Sequence, residues 1–148
     1  MTAFAVQPGA LLARGVCRYL MGAGLMPVTE FAPAPGLRVD VIALAPDGRI
    51  IIVECKSDLA DFRADAKWQG YLAWCDAFYF AVDDRFPLEH LPPDEGLIVA
   101  DAYGGEIIRD ASPRALAPAR RKALTLRLAR KAAERLRLAV DPVALAEG

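Results

Sequence analysis

Two short runs, residues 38–44 and 50–56, constrain this 148-residue chain more than any other stretch. Both are apolar at both parities: Val39, Val41, Ala43, Ile51 and Val53 fall on one side, and Ile42, Leu44, Ile50 and Ile52 on the other. Side chains along a strand point alternately to opposite faces, so strands of this kind are buried on both sides. The sheet that holds them needs cover above and below. Between the runs, Ala45-Pro46-Asp47-Gly48-Arg49 reads as a tight turn. An antiparallel hairpin centred on Asp47 sets Asp40 opposite Glu54, and it puts positions 40, 42, 44, 50, 52, 54 and 56 on one face. One Asp, one Glu and one Lys then meet at one end of an otherwise apolar sheet.

A Glu-x-Lys tripeptide is common, and an exposed ion pair on a surface strand would produce it too. The apolar neighbours at both parities argue for something else. Three charged groups at the end of a buried sheet lose solvation unless they pair with one another or bind a metal. Two carboxylates can hold a hard divalent cation, and a lysine beside them can orient a water. Such parts suit metal-assisted attack on a phosphodiester. A free lysine titrates near ~10.4 and adjacent carboxylates favour its charged form, so positioning and electrostatic stabilisation are the expected roles of Lys56 rather than proton abstraction.

The arrangement of Asp40, thirteen intervening residues and Glu54-Cys55-Lys56 resembles the active site of the PD-(D/E)XK nuclease superfamily, with Val39 where the family's name has Pro. The longer string from Glu54-Cys55-Lys56-Ser57-Asp58 through Phe62-Arg63-Ala64-Asp65-Ala66-Lys67-Trp68 is similar to the MmcB-like bacterial DNA-repair family, as is Trp74-Cys75-Asp76-Ala77-Phe78-Tyr79-Phe80-Ala81-Val82. The resemblance implies an α/β fold with a restriction-endonuclease-like core, a small mixed sheet flanked by helices on both faces. It implies Mg²⁺ or Mn²⁺ held by Asp40, Glu54 and the backbone carbonyl of Cys55, with Lys56 completing the catalytic set. It also implies DNA as the substrate, a setting in DNA repair, and Lys67, on the same predicted helix as Gln69, as the polar helix residue that superfamily members place near the site.

Other residues are weighed on chemistry alone. Glu30, just before the proline-rich loop 32–36, is a third acid within reach of the metal end of the sheet. Arg63, one turn before Lys67, is placed to meet phosphate. Ser57 is placed to hydrogen-bond water near the site, or to cap the following helix, a role Asp58 can also fill. Residues 1–113 carry 9 basic and 16 acidic side chains, while residues 114–148 carry 9 basic and 3 acidic. A compact basic segment on an acidic body points to a polyanion contact confined to one element. There Arg120, Arg127, Arg130 and Arg137 recur on one side of a predicted helix, with Leu124, Leu128 and Leu136 anchoring the other. Trp68, Tyr71, Trp74 and Phe78 are spaced to pack in the core, with base stacking as the alternative.

Several classes are excluded. The only histidine, His90, stands alone in a proline-rich loop, which removes histidine-based triads and zinc clusters. No GxxxxGK[ST] or GxGxxG loop is present. No apolar run is long enough to span a bilayer, and residues 1–6 lack the basic start of a secretory signal. Cys17, Cys55 and Cys75 form no CxxC and are odd in number, which fits a reduced, cytoplasmic protein.

The pattern predicts helix 8–23 with Leu12, Val16, Tyr19 and Leu20 buried, strand 26–31, the hairpin, and helix 58–75 with a stripe of Leu59, Phe62, Ala66, Gln69 and Ala73. Strand 77–82, a strand pair 97–102 and 106–109 around Gly104-Gly105, and a basic helix at about 114–138 follow, all within a single domain over 1–148. The leading function is a metal-dependent DNA endonuclease of repair. The alternatives are a nuclease-like DNA-binding or partner-recruiting module with little activity, and an α/β protein that does not bind nucleic acid.

Overall fold

The computed structural model describes residues 7–145. They form two compact units, one ending at Leu116 and the other beginning at Ala117. The first unit is built on six strands in sequence order: β1 (Met26–Phe31), β2 (Val39–Leu44), β3 (Ile50–Cys55), β4 (Ala77–Val82), β5 (Gly96–Ala100) and β6 (Gly105–Arg109). β1–β2–β3 and β5–β6 pair antiparallel, while β3–β4 and β4–β5 pair parallel. The sheet is therefore mixed, and the fold is α/β.

The hairpin has the expected register. Val41 pairs with Val53 and Leu44 with Ile50, centred on Asp47. The turn closes through Ala45 N–H to the Arg49 carbonyl at 2.9 Å, with Gly48 at φ +91°, where a side chain would be strained. All six residues of β3 are buried.

Each face of the sheet has its own cover. Helix α1 (Pro8–Gly22) lays Leu12, Val16 and Leu20 on Val41, Ala43, Ile51, Val53, Ala81 and Ile98. Tyr19 is only half-buried. The opposite face is aromatic: Phe62 meets Phe80 edge-on at 5.4 Å, and Trp68 stacks on Phe78 at 5.8 Å. Such pairs add about 0.5–1.5 kcal/mol each beyond their burial. Phe78 is thus a core residue, with half-buried Trp68 packed on it. Tyr71 is also buried, its hydroxyl donating to the Arg38 carbonyl at 2.9 Å.

The continuous helix predicted over 58–75 is broken. α2 covers only Leu59–Ala64, capped by the Asp58 carboxylate on the Asp61 N–H, and a 3₁₀ stretch follows at Trp68–Trp74. The break lies at Asp65, whose backbone is extended. Its carboxylate accepts the N–H groups of Lys67 at 2.7 Å and Trp68 at 3.1 Å, so the side chain competes with the helix for backbone donors. The stripe expected on one helix does not form: Ala66, Gln69 and Ala73 are exposed.

Gly15 marks a contact that patterning does not reveal. A Cβ there would lie 1.6 Å from the Asp101 carbonyl oxygen, because the β5–β6 turn seats directly on α1. Backbone cannot give way as a flexible side chain can. The Gly15→Ala variant is therefore expected to lose about 3 kcal/mol or more, read as a lowered urea midpoint by circular dichroism.

The second unit is α3 (Pro118–Val140) followed by a 3₁₀ turn. It starts four residues later than predicted. Residues 110–117 before it take no regular structure and are tied down by the Leu116 N–H donating to buried Asp76 and by Arg114 paired with Glu95 at 2.8 Å. Leu124 and Leu128 are buried, but Leu136, expected on the same anchoring side, is 66% exposed. The helix spans roughly 35 Å, and its burial is confined to the first half.

Candidate functional site

The end of the sheet where β2 begins and β3 finishes is tied by side chains. The Asp40 N–H donates to Glu54 Oε1 at 2.9 Å, and the Cys55 N–H donates to Asp40 Oδ2 at 2.8 Å. The two carboxylates thus stand in for backbone carbonyls on the last rung of the ladder. The next residue keeps the ladder on its other side: the Lys56 N–H donates to the Ala81 carbonyl at 2.9 Å. Asp40, Glu54 and Lys56 therefore meet as the register requires, and Glu54 and Lys56 are only 4% and 6% exposed.

Burial of two like charges has the expected effect on titration. Burial first, then the charge of Asp40, pushes the Glu54 carboxyl up to about 8. Burial likewise holds Asp40 above the ordinary range, against the pull of the Cys55 N–H and Lys56. Burial alone would lower Lys56. The hydrogen bond to Asp65 and the charges of Asp65, Glu54 and Asp61 outweigh it, so the ammonium sits above its usual value. Its Nζ lies 2.7 Å from Asp65 Oδ2, with the two side chains 7% and 11% exposed. Asp65 is itself pushed up by burial, but Lys56 and the two N–H groups bring it below the normal carboxylate range.

These directions fix a pH dependence. Glu54 carries its proton to about pH 8 when folded but only to about 4.3 when unfolded. Between those values the native state binds more protons than the unfolded state, so stability falls as pH rises. Without divalent cations the urea midpoint is expected to drop between pH 5 and pH 8, by up to about 1.4 kcal/mol per pH unit for one such group. A flat profile would mean that Glu54 is ionised throughout.

The site opens onto a hollow of about 630 Å³ lined by Asp40, Glu54, Cys55 and Lys56, by Glu30 and Asp61, and by Arg14 with the first turn of α1. Glu30 lies across β1–β2 from Asp40, since Thr29 pairs with Val41 and Phe31 with Val39. It adopts φ +48°, the only non-glycine residue at positive φ among those described. Its side chain is 68% exposed and pairs with Arg38 at 2.9 Å, so it borders the hollow with its carboxylate directed to a cation. Arg63, Lys67 and Gln69 are exposed and do not line the hollow, and Ser57 hydrogen-bonds Asp61 instead. Arg127 and Arg130 are exposed on α3, and Arg120 is half-buried. Among the described residues no three His, Cys, Asp or Glu side chains converge as a ready cage for a cation. What the site offers is a carboxylate pair with one oxygen of each outside the backbone bonds, the kind of set Mg²⁺ completes with waters and phosphate oxygens.

Asp65, Asp61 and Arg14 are absent from the residues singled out by sequence. Asp61 and Asp65 are four apart after the Glu-x-Lys tripeptide, a spacing that puts both on one side of a helix leaving the site. Arg14 had no such signal, because its place depends on how α1 crosses the sheet.

All three cysteines are free, and burial pushes the Cys55 thiol well up, so its sulfur is no nucleophile. No helix among the described residues is long and apolar enough to cross a membrane. The chain is thus an α/β protein with a carboxylate pair, one member buried and one half-buried, and a buried lysine at one sheet end. It belongs to the MmcB-like DNA repair protein family, whose model matches residues 5–143. A solved structure from Silicibacter pomeroyi, the SPO1766 protein of unknown function, is 56% identical, covers 94% of this chain and 95% of its own, and superposes with a TM-score of 0.91. A repair endonuclease from Pyrococcus abyssi overlaps 43% of this chain and 31% of its own, at 20% identity and a TM-score of 0.31, too loosely to bear on fold or function. No curated protein matches the sequence.

Proposed function

We propose that the protein is a metal-dependent DNA endonuclease of repair, hydrolysing phosphodiester bonds in the hollow beside Asp40, Glu54 and Lys56. The observation that carries this reading is a carboxylate pair, Glu54 buried and Asp40 half-buried, crossed onto backbone N–H groups, with a charged lysine next to it. Left alone, that pair repels itself and resists ionisation. A divalent cation relieves both costs, which is the fit expected of a cation site. Asp40, Glu54 and the Cys55 carbonyl would hold Mg²⁺ or Mn²⁺, which supplies charge neutralisation at the scissile phosphate and a more acidic water.

The chain's own groups do the rest. Lys56, protonated and fixed by Asp65, sets a positive charge beside the carboxylates, where negative charge builds on the phosphate oxygens during attack. Held that way it orients water rather than removing its proton. Arg14 and the first turn of α1, the positive end of the helix dipole, face the same hollow and favour an anionic substrate. The water oxygen forms a new bond to phosphorus as the bond to the leaving strand's oxygen breaks. The proton that water loses is balanced by the one the leaving oxygen gains.

The engagement of Lys56 with Asp65 also favours a second reading, a module that binds DNA and recruits a repair partner while cutting slowly. Cleavage of labelled single-stranded, duplex, mismatched and branched DNA with Mg²⁺ or Mn²⁺ separates the two, with Lys56→Ala as the control. Cutting by the wild type that vanishes in the control supports the nuclease. DNA bound without cutting on any substrate supports the recruiting module.

A further inference from the structure

Tyr103 occupies the turn between β5 and β6 with 74% of its surface exposed, more than any other large apolar side chain described. The turn that carries it is well braced. The Asp101 carboxylate accepts the N–H groups of Tyr103 at 2.7 Å and Gly104 at 3.0 Å, and the Asp101 N–H donates to the Gly104 carbonyl at 2.9 Å. The whole tip rests on α1 at Gly15, where no side chain intervenes. From α1, one turn apart, the guanidinium carbons of Arg14 and Arg18 stand 5.7 Å and 5.9 Å from the ring centroid. Among the described residues neither arginine pairs with a carboxylate. Arg14 also lines the hollow that contains Asp40, Glu54 and Lys56.

A core aromatic would be covered, and an arginine kept only for solubility would need no ring. An exposed ring on a braced turn, with two cations over it, has the chemistry to receive a nucleotide, with the base stacking on the ring and its phosphates meeting the guanidiniums. A base within a duplex already has both faces covered by its neighbours, so only an unpaired one is free to stack. A second hollow, which Tyr103 shares with Asp84, Asp101 and Glu106, has no cation in its lining, whereas the hollow that Arg14 lines sets Arg14 and Lys56 beside its carboxylates, where they can meet phosphate. The strand is thereby directed toward Arg14.

We propose that Tyr103, Arg14 and Arg18 form a docking site for an unpaired nucleotide of a DNA strand that runs past Arg14 into the Asp40–Glu54 hollow. The substrate class is then DNA with a single-stranded segment or end beside the scissile bond. This inference rests on the nuclease reading above and deepens it.

The test uses the full chain and a dye-labelled oligodeoxynucleotide, single-stranded or annealed to its complement, with fluorescence anisotropy in Ca²⁺ and cleavage in Mg²⁺. Tyr103→Ala, which leaves the net charge unchanged, is expected to weaken single-strand binding about tenfold, with duplex binding nearly unmoved. Tyr103→Phe restores the affinity, which separates stacking from a fold defect. Arg14→Gln and Arg18→Gln weaken binding and flatten its salt dependence. Unchanged single-strand affinity in Tyr103→Ala, with the wild type still binding and cutting DNA, overturns the docking site and leaves the nuclease reading standing. Equal loss on single strand and duplex also overturns it. A wild type that neither binds nor cuts any DNA overturns both.

Discussion

The Glu54→Gln variant is expected to lose cleavage by about a hundredfold or more while its metal-free form becomes harder to unfold. These opposite signs follow from one feature. Gln keeps the shape and the oxygen that accepts the Asp40 N–H, so the last rung of the β2–β3 ladder survives. It removes a buried charge that Asp40 repels, and whose carboxyl burial already pushes up to about 8. In EDTA the gain should be largest near pH 8 and shrink toward pH 5, where the wild-type carboxyl is itself protonated, read as a higher urea midpoint. Asp40→Asn should behave in the same way, since an amide oxygen can still accept the Cys55 N–H. Loss of helical signal in either variant would mean that the acids hold the fold and have no call on a cation.

Breaking the Lys56–Asp65 pair should lower stability rather than raise it. Asp65→Ala strands a nearly buried ammonium and frees the N–H groups of Lys67 and Trp68 at the α2 break. A loss of about 3 kcal/mol or more is expected from urea titration, since removing one partner of a buried pair leaves an uncompensated charge. Lys56→Met should cost less, because Asp65 retains its two backbone donors. The double variant should fall well short of the summed losses, as coupled neighbours do. Lys56→Met should also abolish cutting while DNA binding persists, which separates its part in chemistry from its part in folding. Additive losses in the double variant would mean that the two charges do not depend on each other.

Much of this was legible in the residues. The hairpin could be read because its apolar runs and its Pro-Asp-Gly turn agree on a single register, and a one-residue slip would turn Asp40 and Glu54 to the other face. Helix α1 and the β5–β6 pair were equally plain, since local pattern and burial point the same way. The helix after β3 was misjudged because Asp65 has two competing attractions, the helix backbone and a buried lysine nine residues earlier. Periodicity sees only the first. Leu136 was misplaced because a helical stripe records which side could be buried, not how far along the helix burial extends. Arg14 and Tyr103 come together only when α1 crosses the sheet and meets a turn nearly ninety residues away in sequence, so no local spacing could have linked them.

The crossed bonds between Asp40 and Glu54 have one more consequence. Each carboxylate grips a main-chain amide of the opposite strand, so the charge state of the site is written into two N–H groups of the backbone. Whatever protonates, neutralises or draws on those oxygens must alter the amides of Asp40 and Cys55 before it alters anything remote. The protein thus contains two native reporters of its own chemistry, buried in the sheet, needing no label and no substrate to be heard.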